Sequence, residues 1–355
     1  MKNTKVILIL IVILLAHGLV LTLVLGNGCS GKKQEKELSD AEQTVKTEIP
    51  EKEEPVVPKV DPEVRRKQEA LAKIKLPYDY RNSVENSIPG FRKGKPGTAG
   101  IIVDLETRKV LWSKNARKAV PIASMTKLMT MLVAFEMALD PASGITLKTP
   151  VKVSVAAYKI GGSQVYLDPK ETFTVEELML AAAVKSANDA AYLLAEFFGN
   201  GDVASFVKKM NAKAAELGMK HTIFRNPHGL PGKTSAEDNV SSPEDMVRLA
   251  EATLLHPQLM KWTSTWKAPF RQPGVKGHIM MQNSNHLVPG GSDSAPGVDG
   301  LKTGFIARSG YCLAASCKRG DRRVIAVVMG HPTWRDRDRF VKALLNWGYA
   351  RIAKQ

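Results

Sequence analysis

The sequence is short of the residues that build disulfide and metal centres. Its 355 residues include three cysteines, Cys29, Cys312 and Cys317, with no CxxC pair and no His/Cys cluster. Three cysteines cannot form a disulfide framework, and zinc sites need closely spaced His or Cys ligands. The sequence therefore predicts neither a bound metal nor a cofactor.

Aromatic residues are also scarce, at 6%. The formal net charge of +16 would by itself suggest a nucleic-acid partner. However, the sequence contains no Lys/Arg-rich block and no basic residues interleaved with aromatic ones, so we do not expect nucleic-acid binding. It also lacks the G-x-S-x-G motif, which argues against a Ser-His-Asp hydrolase.

What is present is a globular composition, with 44% apolar and 24% charged residues. The net charge is distributed unevenly. Residues 1–29 carry +2, and residues 30–75 have a net charge of zero, from 11 basic and 11 acidic side chains. Residues 76–355 hold 38 basic against 24 acidic side chains, a net charge of +14. We therefore divide the chain into a membrane anchor or signal segment at 1–28, a charged tether at 29–76 and a globular domain at 77–355.

The N-terminus predicts membrane attachment. Val6 to Leu25 is a nearly unbroken apolar run preceded by Lys2 and Lys5, and at ~1.5 Å per residue it spans a hydrocarbon core of ~30 Å. Basic residues before the run keep the N-terminus in the cytoplasm and place the domain outside it. We favour an uncleaved single-pass anchor. Signal cleavage and lipidation of Cys29 remain alternatives.

The following segment is rich in Lys, Glu, Pro and Val, as in EIPEKEEPVVPKVDPEVRRKQE. It has little apolar surface to bury, so we expect a solvated tether with a short helix near 63–75. About 45 flexible residues give it a reach of roughly 35–40 Å.

Apolar periodicity predicts strands and helices from about residue 76. Strands are expected at Gly100–Leu105, Lys109–Trp112, Tyr311–Ser316 and Arg323–Met329. Helices are expected at Ser124–Leu139, after a capping box of Thr174 and Glu177, and at Arg337–Arg351. Strands at both ends around a helical middle predict the α/β (α+β) class, with one antiparallel sheet flanked by helices and an inserted helical subdomain.

A serine and a lysine three residues apart share one face of a helix, where the amine can take the hydroxyl proton. This spacing occurs four times, at Ser30/Lys33, Ser124/Lys127, Ser205/Lys208 and Ser264/Lys267. Ser124 opens a strongly apolar helix, and Lys127 has no acidic residue within eight positions. Burial without a carboxylate lowers the pKa of a lysine, which favours this pair. A capping serine with a snorkelling lysine remains the alternative from these residues alone.

Two further motifs belong with this pair. Ser186-Ala187-Asn188 stands where the second helix should break, which can direct a hydroxyl and an amide into a cleft, although the S-x-N spacing recurs at 113–115. Lys302-Thr303-Gly304 is the only K-T-G. On a strand, Lys302 and Gly304 point to one face and Thr303 to the other. Gly304 has no side chain, so another backbone can approach it closely. We therefore expect a substrate peptide to pair along the edge of this strand.

Six segments in this order resemble the serine-type D-Ala-D-Ala carboxypeptidases, the low-molecular-mass penicillin-binding proteins: PIASMTKLMT, KSANDAA, FRNPHGLP, GVDGLKTGF, GYCLAAS and ALLNWGY. The resemblance covers about residues 97–350. It implies a penicillin-binding/β-lactamase-like transpeptidase fold. It also implies that the protein removes the terminal D-Ala from peptidoglycan pentapeptide stems, with β-lactams as covalent inhibitors.

The same resemblance implies roles for single residues. Ser124 would be the acylated nucleophile, Lys127 its general base and Ser186 the proton shuttle to the leaving amine. The remaining site residues would bind the substrate: Asn188 its amide, Lys302, Thr303 and Arg337 its terminal carboxylate, and the backbone N–H groups of Ser124 and Phe305 its oxyanion. Gly304 completes the K-T-G. Arg335 and Arg339 are neighbours that could be confused with Arg337.

Some features depart from the family pattern. Phe305 stands where some relatives carry His, and no E-x-x-L-N stretch supplies the deacylating carboxylate of a β-lactamase. Many relatives add a C-terminal β-domain and an amphipathic membrane helix, whereas this sequence stops at Gln355, so Val6–Leu25 is expected to supply any membrane attachment. The alternatives are a DD-endopeptidase, or a non-catalytic penicillin-binding sensor or wall-tethering protein of the same fold.

Overall fold

A computed structural model of the chain describes residues 62–86, 88 and 97–354. The predicted membrane segment Val6–Leu25, Cys29 and most of the predicted tether lie outside the described residues. Of the helices within the described ranges, none combines the length and the apolar content that crossing a bilayer requires.

The described residues form α-helices and β-strands from Pro62 to Ile352. The helices are α1 (Pro62–Lys75), α2 (Lys127–Leu139), α3 (Val155–Tyr158), α4 (Val175–Val184), α5 (Asn188–Phe198), α6 (Val203–Glu216), α7 (Pro243–Leu254), α8 (Pro257–Ser264) and α9 (Trp334–Ile352). The strands are β1 (Val84–Glu85), β2 (Ala99–Asp104), β3 (Lys109–Lys114), β4 (Val120–Pro121), β5 (Pro150–Lys152), β6 (Thr172–Thr174), β7 (Val240–Ser241), β8 (Lys267–Phe270), β9 (Ile279–Gln282), β10 (Val298–Ile306), β11 (Gly310–Arg319) and β12 (Arg322–His331).

One six-stranded sheet joins the two ends of the domain, in the order β1-β3-β2-β12-β11-β10. β1 runs parallel to β3, and the other neighbours are antiparallel. The pairing of β2 with β12 connects the first hairpin to the last. The predicted sheet, built from both ends around a helical insertion, is therefore confirmed.

The sheet separates two hydrophobic cores. Ile101 and Val103 of β2 face the helical subdomain, whereas Ile102 between them faces α9. All six residues of β2 are buried, because both faces of the strand are covered. Cys312 belongs to the first core and Cys317 to the second, so these two residues of β11 face opposite sides of the sheet.

The segment around Ser124 differs from the predicted helix. Ala123–Thr126 form a 3₁₀ turn, and α2 begins at Lys127. Ala123 has a φ of 48°, a left-handed conformation that breaks any helix before it. The N–H of Met125 then donates to the carbonyl of Ile122 at 3.1 Å, which gives the turn its tighter geometry. The prediction of an α-helix starting at Ser124 was therefore wrong in its first turn.

The expected helix near residues 63–75 is confirmed as α1, which lies in the stretch assigned to the tether. Its end is held by the domain, because Ile74 is buried in the first core. Arg108 donates to the carbonyls of Ile74 at 3.3 Å and Leu76 at 2.8 Å, and Arg248 donates to the same two groups. These bonds satisfy helix-end acceptors that have no partner within α1. The folded unit therefore starts before residue 77.

This packing predicts that the end of α1 contributes to the stability of the domain. Ile74→Ala should lower the free energy of unfolding of the full chain by about 2–4 kcal/mol, because it leaves a cavity in the core. Leu76, two residues later, is 53% exposed. Leu76→Ala should therefore change the free energy by less than about 0.5 kcal/mol. Denaturant titration of both variants checks the prediction, and equal losses would contradict it.

Candidate active site

The amine of Lys127 lies at the centre of the site. Its Nζ is 3.0 Å from the Oγ of Ser124, 2.7 Å from the Oδ1 of Asn188 and 2.6 Å from the carbonyl oxygen of His228. Lys127 is fully buried. The structure therefore brings three of the predicted site residues into one hydrogen-bonded group, together with a backbone carbonyl.

Burial lowers the pKa of Lys127 well below its usual value. The positive charge of Lys302 lowers this pKa further, and the carboxylate of Asp189 acts in the opposite direction. A neutral amine has two hydrogens, which match the acceptors on Asn188 and His228, and one lone pair. That lone pair is then available to the hydroxyl of Ser124, which is the arrangement a general base needs.

The break between α4 and α5 positions Ser186 and Asn188, and the predicted break is confirmed. Ser186 has a φ of 59°, so the chain reverses there and Asn188 starts the next helix. The Nδ2 of Asn188 donates to the carbonyl of Gly161 at 2.8 Å. The backbone N–H of Asn188 donates to Ser163 at 2.7 Å. These bonds fix the amide so that its oxygen faces Lys127.

A second buried amine belongs to Lys302 on β10. Its Nζ lies 2.8 Å from the Oγ of Ser186, and the residue is 2% exposed. Burial lowers the pKa of Lys302 to about 7, and the charge of Arg337 contributes in the same direction. On the adjacent residue, the hydroxyl of Thr303 contacts that of Ser284. The K-T-G strand therefore contributes to the site through Lys302 and Thr303.

Gly304 permits a close approach, as expected, but to a different backbone. A Cβ at this position would collide with the carbonyl oxygen of Ile122 and lie 3.2 Å from the N of Met125. The absent side chain therefore lets β10 pack against the turn that carries Ser124. β10 is the last strand of the sheet. Pairing of a substrate along its outer edge stays a prediction.

These residues surround a cleft of about 280 Å³. Six of the predicted site residues line it: Ser124, Ser186, Thr303, Gly304, Phe305 and Arg337. The other three, Lys127, Asn188 and Lys302, are buried. Phe305 is 51% exposed, and its ring stacks on Tyr311 at 4.2 Å. The structure therefore places all nine residues at one location.

Arg337 reaches this cleft from α9. Its Nε donates to the carboxylate of Asp338 at 2.7 Å, and its terminal nitrogens lie 3.3 Å from the carbonyl of Ser284 and 3.4 Å from that of Cys312. Arg335 and Arg339 do not line the cleft and are both exposed. The burial of Arg337 distinguishes it from these neighbours.

Several residues of the site carried no signal in the sequence. Ser284, His286 and Trp334 also line the cleft. The Nδ1 of His286 lies 2.8 Å from the carboxylate of Asp338, and its ring lies 4.4 Å from that of Trp334. Residues 286 and 338 meet only because the loop after β9 packs against the start of α9. The carbonyl of His228 was missed as well, because backbone acceptors leave no residue-type pattern.

The competing Ser/Lys pairs lie elsewhere in the described residues. Ser205 and Lys208 sit on α6, where Lys208 is exposed. Ser264 ends α8, and Lys267 begins β8. Neither pair lines the cleft. Ser30 and Lys33 lie outside the described residues. Of the three pairs that the structure describes, only Ser124/Lys127 combines a cleft-facing hydroxyl with a buried amine.

Comparison with known proteins agrees with this geometry. Residues 95–333 match the family model of the D-alanyl-D-alanine carboxypeptidases. The chain belongs to this family. It is 40% identical over 252 residues to D-alanyl-D-alanine carboxypeptidase DacF of Bacillus subtilis, a match that covers 71% of this chain and 62% of that protein. The chain thus spans about three fifths of the length of the curated relatives it matches first.

Solved structures of this family share the fold. Penicillin-binding protein D2 of Listeria monocytogenes, in its ampicillin-bound form, superposes with a TM-score of 0.61 at 29% identity, over 71% of this chain and 97% of that chain. The D-alanyl-D-alanine carboxypeptidase of Mycobacterium tuberculosis has a TM-score of 0.64 at 29% identity, over 77% of this chain and 96% of that chain. The expected penicillin-binding fold is therefore confirmed.

The close packing at Gly304 makes a testable prediction. In Gly304→Ala, β10 and the turn that carries Ser124 must move apart to make room for the new Cβ. Because this displaces Ser124, acylation by a fluorescent penicillin should slow by at least about tenfold. Gly320→Ala in the β11–β12 turn is the control, because its Cβ meets no atom within 4 Å and its φ of 58° adds only local strain. That variant should lose stability but keep its acylation rate. Equal acylation rates in the two variants would contradict the prediction.

Proposed function

We propose that this protein is a serine-type D-Ala-D-Ala carboxypeptidase that removes the terminal D-Ala from peptidoglycan pentapeptide stems. The observation that carries the proposal is the 3.0 Å contact between the Oγ of Ser124 and the buried amine of Lys127. The neutral amine donates its two hydrogens to the side-chain carbonyl of Asn188 and the backbone carbonyl of His228. Family membership supports the same activity.

In the proposed reaction Ser124 attacks the carbonyl of the penultimate D-Ala. Its proton passes to Lys127, and the new Oγ–C bond gives a tetrahedral intermediate whose negative oxygen is bound by the backbone N–H groups of Ser124 and Phe305. The C–N bond then breaks and leaves an acyl-enzyme. Water hydrolyses the ester in the second step, which returns the proton to Ser124.

The departing amine needs a proton when the C–N bond breaks. Ser186 lines the cleft, and Lys302 lies 2.8 Å behind its hydroxyl. Ser186 can therefore donate to the leaving nitrogen, and Lys127, which holds the proton taken from Ser124, replaces the proton that Ser186 loses while Lys302 stays protonated. The D-Ala departs as a neutral amine, with the proton that Ser124 gave up.

The free carboxylate of the terminal D-Ala orients the substrate. Arg337 and Thr303 line the cleft, and the charge of Lys302 lies next to them. Charge-assisted hydrogen bonds to a carboxylate are about twice as strong as neutral ones. The amide of Asn188 is the proposed partner of the substrate peptide. A β-lactam presents a similar carboxylate and a strained amide, so it should acylate Ser124 and inhibit the enzyme.

We further propose that the domain works outside the cytoplasm, where this substrate occurs. The apolar run Val6–Leu25 would attach it to the cell membrane, either as an anchor or, in a processed form, through Cys29. The prediction that basic residues keep the N-terminus inside supports this orientation.

Replacing the nucleophile tests the proposed function directly. Ser124→Ala should lower the release of D-Ala from a pentapeptide by at least about 10³-fold and abolish labelling by a fluorescent penicillin. Ser264→Ala is the matched control, since Ser264 has the same spacing to its lysine but lies at the end of α8. Release unchanged in Ser124→Ala would contradict the proposal. Labelling of the wild type without release would indicate a penicillin-binding sensor.

The two buried lysines predict a bell-shaped pH dependence of kcat/KM. Lys127 acts as the neutral amine, so activity is lost as the pH falls through its lowered pKa. Lys302 acts as the cation, so activity is also lost as the pH rises through its pKa of about 7. The kcat/KM for a pentapeptide checks this, with thermal unfolding over the same range to exclude denaturation. A profile that stays level above about pH 7 would contradict the role of Lys302.

A further inference from the structure

His286 lies in the wall of the cleft, although no motif in the sequence pointed to it. It follows the last residue of β9 by four positions and lines the cleft together with Arg337. Its Nδ1 is 2.8 Å from the Oδ2 of Asp338. A carboxylate can only accept a hydrogen bond, so the Nδ1 carries the hydrogen and His286 is the donor. This bond connects an imidazole of the cleft wall to α9.

Asp338 links this imidazole to Arg337. The aspartate is 1% exposed. Its Oδ1 accepts from the Nε of Arg337 at 2.7 Å and lies 2.6 Å from a terminal nitrogen of the same guanidinium. Its Oδ2 accepts from His286. Each carboxylate oxygen therefore has its own partner, and a change at His286 reaches Arg337 through one shared side chain.

Two buried asparagines fix the loop that carries His286. The Nδ2 of Asn283 donates to two backbone carbonyls at the end of α8, each at 3.0 Å. The Nδ2 of Asn285 donates to a backbone carbonyl of β10 at 3.2 Å. His286 is thus attached to the sheet and to α8, and its bond to Asp338 ties α9 to this framework.

Two tryptophans contact the ring of His286. Its centroid lies 4.4 Å from that of Trp334 and 5.9 Å from that of Trp266. These contacts restrict rotation of the imidazole and direct its Nδ1–H to Asp338. A phenylalanine ring could replace the aromatic contacts but could not donate the hydrogen bond. Packing and hydrogen bonding at this position are therefore separable by substitution.

The carboxylate of Asp338 is the closest partner of the guanidinium of Arg337. Two backbone carbonyls, of Ser284 and Cys312, lie farther from its terminal nitrogens, at 3.3 and 3.4 Å. A buried carboxylate oxygen that loses its donor carries a desolvation cost until it finds another. The guanidinium already bound to Oδ1 can supply that donor. Loss of the bond from His286 should therefore draw Arg337 towards Asp338 and away from the cleft.

We propose that His286 is a positioning residue that acts through Asp338 to hold Arg337 in place for the terminal carboxylate of the substrate. This inference rests on the proposed function, in which Arg337 binds that carboxylate. Bonds between a guanidinium and a carboxylate depend on the orientation of both planes, so a small shift of Arg337 weakens them. His286 thereby contributes to the preference of the enzyme for peptides that end in a free carboxylate.

The experiment compares three substitutions in the purified full chain. His286→Phe keeps an aromatic ring and removes the hydrogen bond to Asp338. His286→Asn loses the ring but places an amide N–H donor near the position of the Nδ1. His278→Phe is the control, because His278 lies in the loop between β8 and β9 and does not line the cleft. Thermal unfolding shows whether each variant is folded at the assay temperature.

The two substrates are a pentapeptide ending in D-Ala-D-Ala and the same peptide with a C-terminal amide. The amide is assayed with enzyme in excess, because it lacks the carboxylate and should react slowly. We expect His286→Phe to lose about tenfold in kcat/KM on the free acid and less than about twofold on the amide. His286→Asn should stay within about threefold of the wild type on the free acid. The control should match the wild type on both substrates.

Three results would overturn the role of His286 while leaving the proposed function intact. The first is full activity of His286→Phe on the free acid. The second is a loss in His286→Asn at least as large as in His286→Phe, which would assign the effect to ring packing. The third is an equal loss on the acid and the amide, which would separate His286 from carboxylate recognition. Absence of D-Ala release by the wild type would instead refute the proposed function itself.

Discussion

The removal of the Lys127 amine from water is the constraint on which the rest of the site depends. Burial disfavours the charged form, and the neighbouring charge of Lys302 acts in the same direction. A neutral buried amine still needs partners, because each unsatisfied polar group costs about 1–3 kcal/mol. The amide of Asn188 and the carbonyl of His228 provide them. The fold must therefore bring α2, the start of α5 and the loop at residue 228 to a single point.

Close backbone packing fixes the hydroxyl next to this amine. A Cβ at Gly304 would collide with the carbonyl oxygen of Ile122. A Cβ at Gly229, whose φ is 83°, would collide with the carbonyl of Ala123 and lie 2.9 Å from the N of Ser124. A side chain at either glycine would displace the nucleophile. Ala123 and Ser186 both have left-handed backbone conformations, of the kind that persists only where the surrounding structure holds it. The reactive serine is thus held from two sides by chain segments distant in sequence.

Local signals in the sequence were sufficient for much of the fold. The capping box of Thr174 and Glu177 forms both of its hydrogen bonds, and the helix that it opens ends before Ser186, as predicted. The hairpin strands also lie where alternation placed them. The error concerns the turn at Ser124, where Ala123 leaves the helical conformation. The sequence also did not show that the backbone close to Gly304 is that of Ile122. No residue-type pattern encodes the backbone that a distant segment presents.

The sequence by itself determined the strands of the first and last hairpins, several of the helices, the family resemblance and the identity of the residues that could react. These features depend on local periodicity and on motifs of three to four residues. Only the tertiary structure decided that Lys127 lacks water, that Lys302 lies behind Ser186, and that Arg337, rather than Arg335 or Arg339, faces the cleft. Each of these depends on burial and on distances between groups far apart in the chain. Reactivity at this site is therefore a property of packing, because the same serine–lysine spacing elsewhere in the described chain lies outside the cleft.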